Sequence, residues 1–397
     1  MPILFYVLFT YFSIFVKILV ILKGNQEDLQ LNPDCPQYGV LTIMRNIYLK
    51  ILESGEDLSP LVLATVTDCR GSAPQKPGSS ALFGSNGLIC GTVGGGIVEG
   101  KVTEFARQCS LTKKSAFFHY QLNNGVSEKE EAICGGEVSI LADPNIGAHI
   151  EVFKEINQSL AGRIPGLLIT IVKISSGDQV VINRYWMTRD NKPPVPVHFY
   201  EKVEAAALSL LSSSDAAPLK RIDLPAPEKD VSVVCYLEPV LPLPQLIIAG
   251  AGHIGRALSH LGKLIDFEVT VIDDRAEFAN PENLPDACKI IVKDIGIAME
   301  ELEKTPDSYI VIVTRGHNDD AMALKACIGS KAAYVGMIGS RAKVSKMHAD
   351  FIKKKWATET EWNTIHSPIG LDINSKTVEE IAVSIAAQLV QVKNKTT

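Results

Sequence analysis

Residues 245–273 read QLIIAGAGHIGRALSHLGKLIDFEVTVID. Gln245 to Ala249 is a short apolar run of strand length. Gly250-Ala251-Gly252-His253-Ile254-Gly255 follows and fits the spacing GxGxxG. Ile254, Leu258, Leu261 and Ile265 then recur at helical spacing on one face. Glu268 to Ile272 is a second strand, and Asp273 stands at its end, eighteen residues past Gly255. GxGxxG alone is a weak signal. Strand, glycines, helix, strand and terminal acid in this order form a dinucleotide-binding fingerprint. Gly250, Gly252 and Gly255 are therefore candidate phosphate-loop residues, and Asp273 is placed to accept from a ribose 2′-OH. His253 lies inside the loop, where its ring either reaches the cleft or faces solvent.

Working outward from this unit, further strands are expected at Ile290–Val292, Tyr309–Thr314 and Ala333–Met337. A last helix starts at the capping box Thr377-Val378-Glu379-Glu380 and turns Ile381, Ile385 and Leu389 inward. Alternating strands and helices predict a Rossmann-like, doubly wound parallel sheet over residues 245–397. Its carboxyl edge would carry Thr314-Arg315-Gly316-His317-Asn318-Asp319-Asp320 and Gly339-Ser340-Arg341. Arg341 has the fork to grip a phosphate. His317 is a candidate catalytic residue by position, although loop histidines and aspartates more often only order their loop.

Upstream, Glu238-Pro239-Val240-Leu241-Pro242-Leu243-Pro244 reads as a stiff extended linker, placed at residues 231–244. Residues 44–230 mix strands with few helices and are expected to form one α+β domain. The whole chain is thus expected to be of α/β class. Gly71 to Gly100, GSAPQKPGSSALFGSNGLICGTVGGGIVEG, holds nine of the chain's 29 glycines. Ser85-Asn86-Gly87 is a hairpin turn that needs no ligand. Gly94, Gly95 and Gly96 run into a helix bearing Val98, Val102, Phe105 and Cys109 on one side. A glycine loop feeding a helix N-terminus offers N–H groups to an anion. Glu99 in the first turn adds an acceptor-only carboxylate. Together they suit a ligand with a phosphate and an amino-imino edge, as a pterin has.

Eight cysteines (35, 69, 90, 109, 134, 235, 288, 327) form no CxxC and no regular spacing. That argues for a reducing compartment and against a disulfide framework or a zinc site. Cys134, followed by Gly135 and Gly136, is the best soft-ligand candidate, because glycines leave its sulfur uncrowded near N–H dipoles. A thiolate there suits a soft transition metal or sulfur transfer. Lone cysteines more commonly serve as small buried hydrophobes. With net charge −6 and no basic run interleaved with aromatics, nucleic-acid binding has no support. Residues 1–22, MPILFYVLFTYFSIFVKILVIL, are long enough to span a bilayer. A membrane anchor, an interfacial segment and residues upstream of the true start all fit the 1–43 extension. A start at or near Met44, which opens an amphipathic helix, and a cytoplasmic location are the expectation.

Taken together, these segments resemble the xanthine dehydrogenase accessory factor family (XdhC/CoxI). The likeness rests on Gly71-Ser72-Ala73-Pro74, the Gly91–Glu99 loop and Cys134-Gly135-Gly136. It continues through Glu238-Pro239, GAGHIG, Val269–Arg275, Thr314–His317, Gly339–Arg341 and Ser367-Pro368-Ile369-Gly370-Leu371-Asp372, in order. The resemblance implies an XdhC/CoxI-type domain followed by a Rossmann domain. It implies a chaperone that binds the molybdenum cofactor (molybdopterin), supports its sulfuration with a cysteine desulfurase, and hands it to an apo molybdenum hydroxylase. A homo-oligomer such as a dimer is the expected state. Ser72, Lys76, Gly94–Gly96 and Glu99 would hold the cofactor, with Cys134 near the molybdenum. Many relatives carry Arg after Ser-Ala-Pro, where this chain has Gln75 and then Lys76. A phosphate contact there would fall to Lys76 or to backbone N–H groups. The alternative is an NAD(P)-dependent oxidoreductase, which the Rossmann domain alone would support. No Tyr-x-x-x-Lys relay accompanies it.

Overall fold

In the computed structural model the described residues are 29–31, 47–55, 57–71, 75–122, 136–177, 179–190, 195–212, 219–226 and 228–394. They divide into two compact units, Thr42–Pro242 and Leu243–Thr397, the latter joined by a strand from the segment before residue 42. That strand is β1 (Leu29–Leu31).

The first unit starts with α1 (Ile47–Glu53) and continues into an antiparallel sheet. Its strands are β2 (Val62–Gly71), β3 (Ser80–Gly84), β4 (Gly87–Gly91), β5 (Ala116–Leu122) and β6 (Gly136–Asp143), in the order β4-β3-β2-β6-β5. Alternation along β2 decides what each face buries. Val62, Ala64 and Val66 meet Val98, Val102, Ala106 and Cys109 of α2 (Gly96–Thr112). Leu61 and Leu63 point the other way, onto Tyr48 and Ile51 of α1 and Phe153 and Ile156 of α3 (Ile150–Ala161).

A second antiparallel sheet, ordered β8-β7-β10-β9, is built from β7 (Gly166–Ser175), β8 (Gln179–Met187), β9 (Lys220–Leu224) and β10 (Ser232–Val240). Phe199, Val203 and Ala207 of α4 (Val197–Ser212) cover Leu167, Ile169, Cys235 and Leu237. The two sheets are tied by a buried ion pair: the Arg184 guanidinium on β8 donates to the Asp143 carboxylate at the end of β6. The Ser115 hydroxyl and the Asn145 N–H complete that carboxylate's partners.

The expected linker at 231–244 is corrected here. Ser232–Val240 is a strand paired to β7 and β9, and the free connection shrinks to Leu241–Pro244. Pro239 is tolerated because β9 ends its pairing at Leu237, so no partner demands an N–H on that side.

In the second unit five parallel strands follow: β11 (Gln245–Ala249), β12 (Glu268–Asp273), β13 (Lys289–Val292), β14 (Ser308–Ile312) and β15 (Tyr334–Met337). The sheet order is β1-β13-β12-β11-β14-β15, with β1 antiparallel on the edge. Side chains of β11 alternate between two cores. Leu246 and Ile248 pack toward α5 (His253–Leu264) and α9 (Val378–Lys393). Ile247 and Ala249 pack on the opposite face, whose core includes residues of α6 (Ile295–Glu301), α7 (His317–Lys325) and α8 (Arg341–Lys354). Helices on both faces and strand order reversing at β11 make this a doubly wound Rossmann-type sheet. The capping box at Thr377 and Glu380 starts α9.

Candidate functional site

Strand register gathers the glycine-rich motifs at one end of the five-stranded sheet. Gly71 pairs with Gly136, Thr65 with Ser80, and the Thr92 N–H donates to the Ser80 carbonyl. Gly94, Gly95 and Gly96 all take positive φ, at 140°, 67° and 51°. A Cβ on Gly95 or Gly96 would meet nothing within 4 Å, so their backbone faces open space. Gly95 is the N-cap of α2 and supplies no side-chain cap, which leaves first-turn N–H groups for an outside acceptor. Thr92, which the sequence reading passed over, organises the loop. Its hydroxyl accepts from the Gly94 N–H at 3.2 Å and donates to Glu99 Oε2 at 3.0 Å. Among the described residues Glu99 Oε1 has no hydrogen bond, so half of the carboxylate remains to accept.

Lys76 is exposed in the loop that returns the chain to β3. Gln75 is spent on ordering that loop: its carbonyl accepts from Cys69 Sγ and its amide oxygen from the Ser79 hydroxyl. Ser72, Cys134 and Gly135 lie outside the described residues. Five of the described cysteines are poor thiolates. Burial pushes the thiols of Cys109, Cys235 and Cys327 up to about 11, 12 and 12, and raises those of Cys69 and Cys90 as well. Among the described residues no cluster of three His, Cys, Asp or Glu could hold a metal ion.

In the second unit the three fingerprint glycines meet three different demands. Gly250 has φ 117°, and a Cβ there would strike the Val313 carbonyl at 2.5 Å. A Cβ on Gly255 would lie 1.9 Å from the Gly250 oxygen, so the helix can press onto the loop only at glycine. Gly252 has nothing within 4 Å and caps α5 without a side chain, the open position a phosphate approaches.

His253 and His317 are the first residues of α5 and α7, and both are exposed. Arg341, also exposed, opens α8 behind the N-cap Ser340. Asp273 is 1% exposed, and its carboxylate accepts from the Ala251 N–H and from Arg275. Burial alone would raise its pKa, but the Arg275 guanidinium and two backbone N–H groups hold it below the usual carboxylate range.

A buried cluster and an exposed pair join residues of these edge motifs, and neither partnering was legible in the sequence. Asp320, fully buried on α7, accepts from the Thr314 hydroxyl at 2.6 Å and from the Lys343 ammonium. Arg315 donates to Asp274 at 3.0 Å. Because β12 and β14 flank β11, that exposed pair bridges the carboxyl end of β11.

Comparison with known proteins follows the same division. Residues 246–389 match the family model described as the XdhC Rossmann domain, and residues 56–121 match the XdhC and CoxI family. The chain is 24% identical over 350 residues to an Escherichia coli (strain K12) protein named uncharacterized protein YqeB. That match covers 88% of this chain and 46% of the relative, so the chain spans about half of that relative's length. It is 24% identical over 343 residues to a probable xanthine dehydrogenase subunit of Bacillus subtilis (strain 168), covering 86% and 95% of the two chains. A crystal structure of a xanthine dehydrogenase from Bacillus halodurans superposes with TM-score 0.68 at 23% identity, over 88% of this chain and 96% of that one. This last likeness concerns the fold.

Proposed function

We infer the function from one premise: this chain belongs to the XdhC and CoxI family. We propose that it is an accessory factor for a xanthine dehydrogenase-type molybdenum hydroxylase. In this reading it binds the molybdenum cofactor, supports its sulfuration by a cysteine desulfurase, and delivers it to the apo-enzyme. The observation that carries the proposal is the open pair Gly95 and Gly96 at the uncapped start of α2, with Glu99 fixed one turn away.

The residues fit such a group. The N–H groups of Gly95 and Gly96 suit the phosphate, since a Cβ at either would meet nothing and they lie at the positive end of a helix dipole, while the Gly94 N–H is held by Thr92. Glu99 offers a carboxylate oxygen to the amino-imino edge of the pterin, held in aim by Thr92. Lys76 supplies an exposed cation on the same sheet end. The cofactor itself brings the molybdenum that the client enzyme uses. Cys134 is assigned beside the molybdenum in this proposal, although it lies outside the described residues. The NAD(P) oxidoreductase reading is weakened by Asp273, whose carboxylate is already hydrogen-bonded within the protein.

The test is retention. Purified protein is mixed with free molybdenum cofactor and gel-filtered, and the bound pterin is read by fluorescence after oxidation. The wild type is expected to retain it near stoichiometry. Glu99→Gln is expected to lose about tenfold in affinity, the weight of one charge-assisted hydrogen bond, with unchanged circular dichroism. Equal retention by the variant refutes the assignment of Glu99. No retention by the wild type refutes the proposal.

A further inference from the structure

The glycine half and the acid half of the second unit's crevice are built differently. At the glycine half, Gly252 leaves the loop open. At the acid half, each oxygen of Asp273 accepts two hydrogen bonds. Oδ1 takes the Arg275 N–H at 3.1 Å and Arg275 Nε at 2.8 Å. Oδ2 takes the Ala251 N–H at 2.8 Å and an Arg275 terminal nitrogen at 2.9 Å. An ionised carboxylate has about four lone-pair sites, so none is left for a ribose hydroxyl.

Arg275 is itself held on three sides. Its fork grips Asp273, its guanidinium carbon lies 4.0 Å from the centre of the Phe278 ring, and Asp274 Oδ1 stands 3.9 Å from its Nε. Its side chain is 20% exposed.

We propose that Arg275 is a specificity-determining residue: folded onto Asp273, it closes the ribose-diol acceptor of this crevice and makes the unit reject NAD(H). A diol brings two neutral O–H donors, whereas the guanidinium brings a bidentate charge-assisted fork, the stronger partner for a carboxylate. The stack on Phe278 adds a cation–π contact that any displacement must break. The same fork is no reader of a 2′-phosphate, because a dianion would lie beside the carboxylates of both Asp273 and Asp274. This inference does not depend on what the first unit binds.

The experiment is titration calorimetry of the full chain with NAD+ and with NADP+, on the wild type, Arg275→Ala and Phe278→Leu. The wild type is expected to bind neither tighter than about 1 mM. Arg275→Ala is expected to gain at least about tenfold for NAD+, the weight of hydrogen bonds to a freed carboxylate, and nothing for NADP+. Phe278→Leu loosens the arginine without baring Asp273, and gives a smaller gain in the same direction. It decides the matter if Arg275→Ala fails to fold. Micromolar wild-type binding of either dinucleotide overturns the proposal, as does the absence of any NAD+ gain in the folded variants.

Discussion

Gly252 and Gly255 stand three residues apart and carry opposite expectations. Gly252 has φ −68° and empty space where a Cβ would go. Alanine there keeps an ordinary backbone, so stability should change by less than about 1 kcal/mol, while the methyl group narrows the approach to the loop. Alanine at Gly255 would force a Cβ against the Gly250 carbonyl, which is backbone and has no flexible tip to yield. We expect a loss of about 3 kcal/mol or more, or failure to fold. Urea unfolding of the two variants side by side checks both, and similar midpoints would contradict this account of the loop. These roles were legible in the sequence because GxGxxG spacing is itself the geometry of the turn. The closure of Asp273 was not, since nothing in a run of Asp-Asp-Arg says that the arginine folds back. Thr92 was missed for a related reason: a threonine before a glycine run carries no signal until its hydroxyl is seen joining Gly94 to Glu99.

Between elements, α1 and β10 meet through a polar contact in an apolar setting. The Tyr48 hydroxyl donates to Glu238 Oε1 at 2.6 Å, while Tyr48 stacks on Phe153. Burial pushes the Glu238 carboxyl up to about 7, and the Tyr48 hydrogen bond and the Arg184 charge only partly oppose it. A carboxyl with a raised folded-state pKa favours the fold while protonated. Its contribution is complete below the unfolded value near 4.5 and is lost as pH rises through about 7. That loss amounts to at most about 3 kcal/mol. Asp143, held low by Arg184 against the effect of its own burial, acts in the opposite sense and weakens the fold only in acid.

Glu238→Gln keeps the acceptor and removes the titration. We therefore expect the variant to match the wild type near pH 5 and to melt higher at pH 8. Calorimetric melts at pH 5, 6, 7 and 8 check this, and parallel curves would remove Glu238 from the account. The same element shows where sequence reading ran short. Prolines at 239, 242 and 244 suggested a linker, yet seven strand residues precede Pro239 and five of them, Val233 to Leu237, pair on both sides. The helices Ile150–Ala161 and Val197–Ser212 also escaped, although Phe153 and Ile156, and Phe199 and Val203, stand at helical spacing and are buried. Both fall within residues 44–230, where strands with few helices were the expectation.

At the scale of the whole chain, the described cores begin at Ile47, and no described core residue comes from the segment before it. That segment touches the described structure through β1, which pairs three residues with β13 at a sheet edge. The parallel sheet beneath has its own two cores, so a chain begun at Met44 should keep both units intact. An edge strand of three residues is worth little, and its loss should lower the melting temperature by only a few degrees. The bared edge is short, the four residues Lys289-Ile290-Ile291-Val292, and so short an edge offers little to pair with another chain. None of the helices among the described residues is long and apolar enough to cross a membrane, and residues 1–22 lie outside the described set. The apolar run that is long enough to span a bilayer lies in residues 1–22, so an attachment made through it is expected to vanish in the shortened chain. Fractionating cells that express each form, and melting both purified proteins, tests the two statements together. Equal partition into membranes by both forms would place the attachment in the described units. A fall of more than about 10 °C, or loss of the pterin that the full chain retains, would make the first 43 residues part of the working fold.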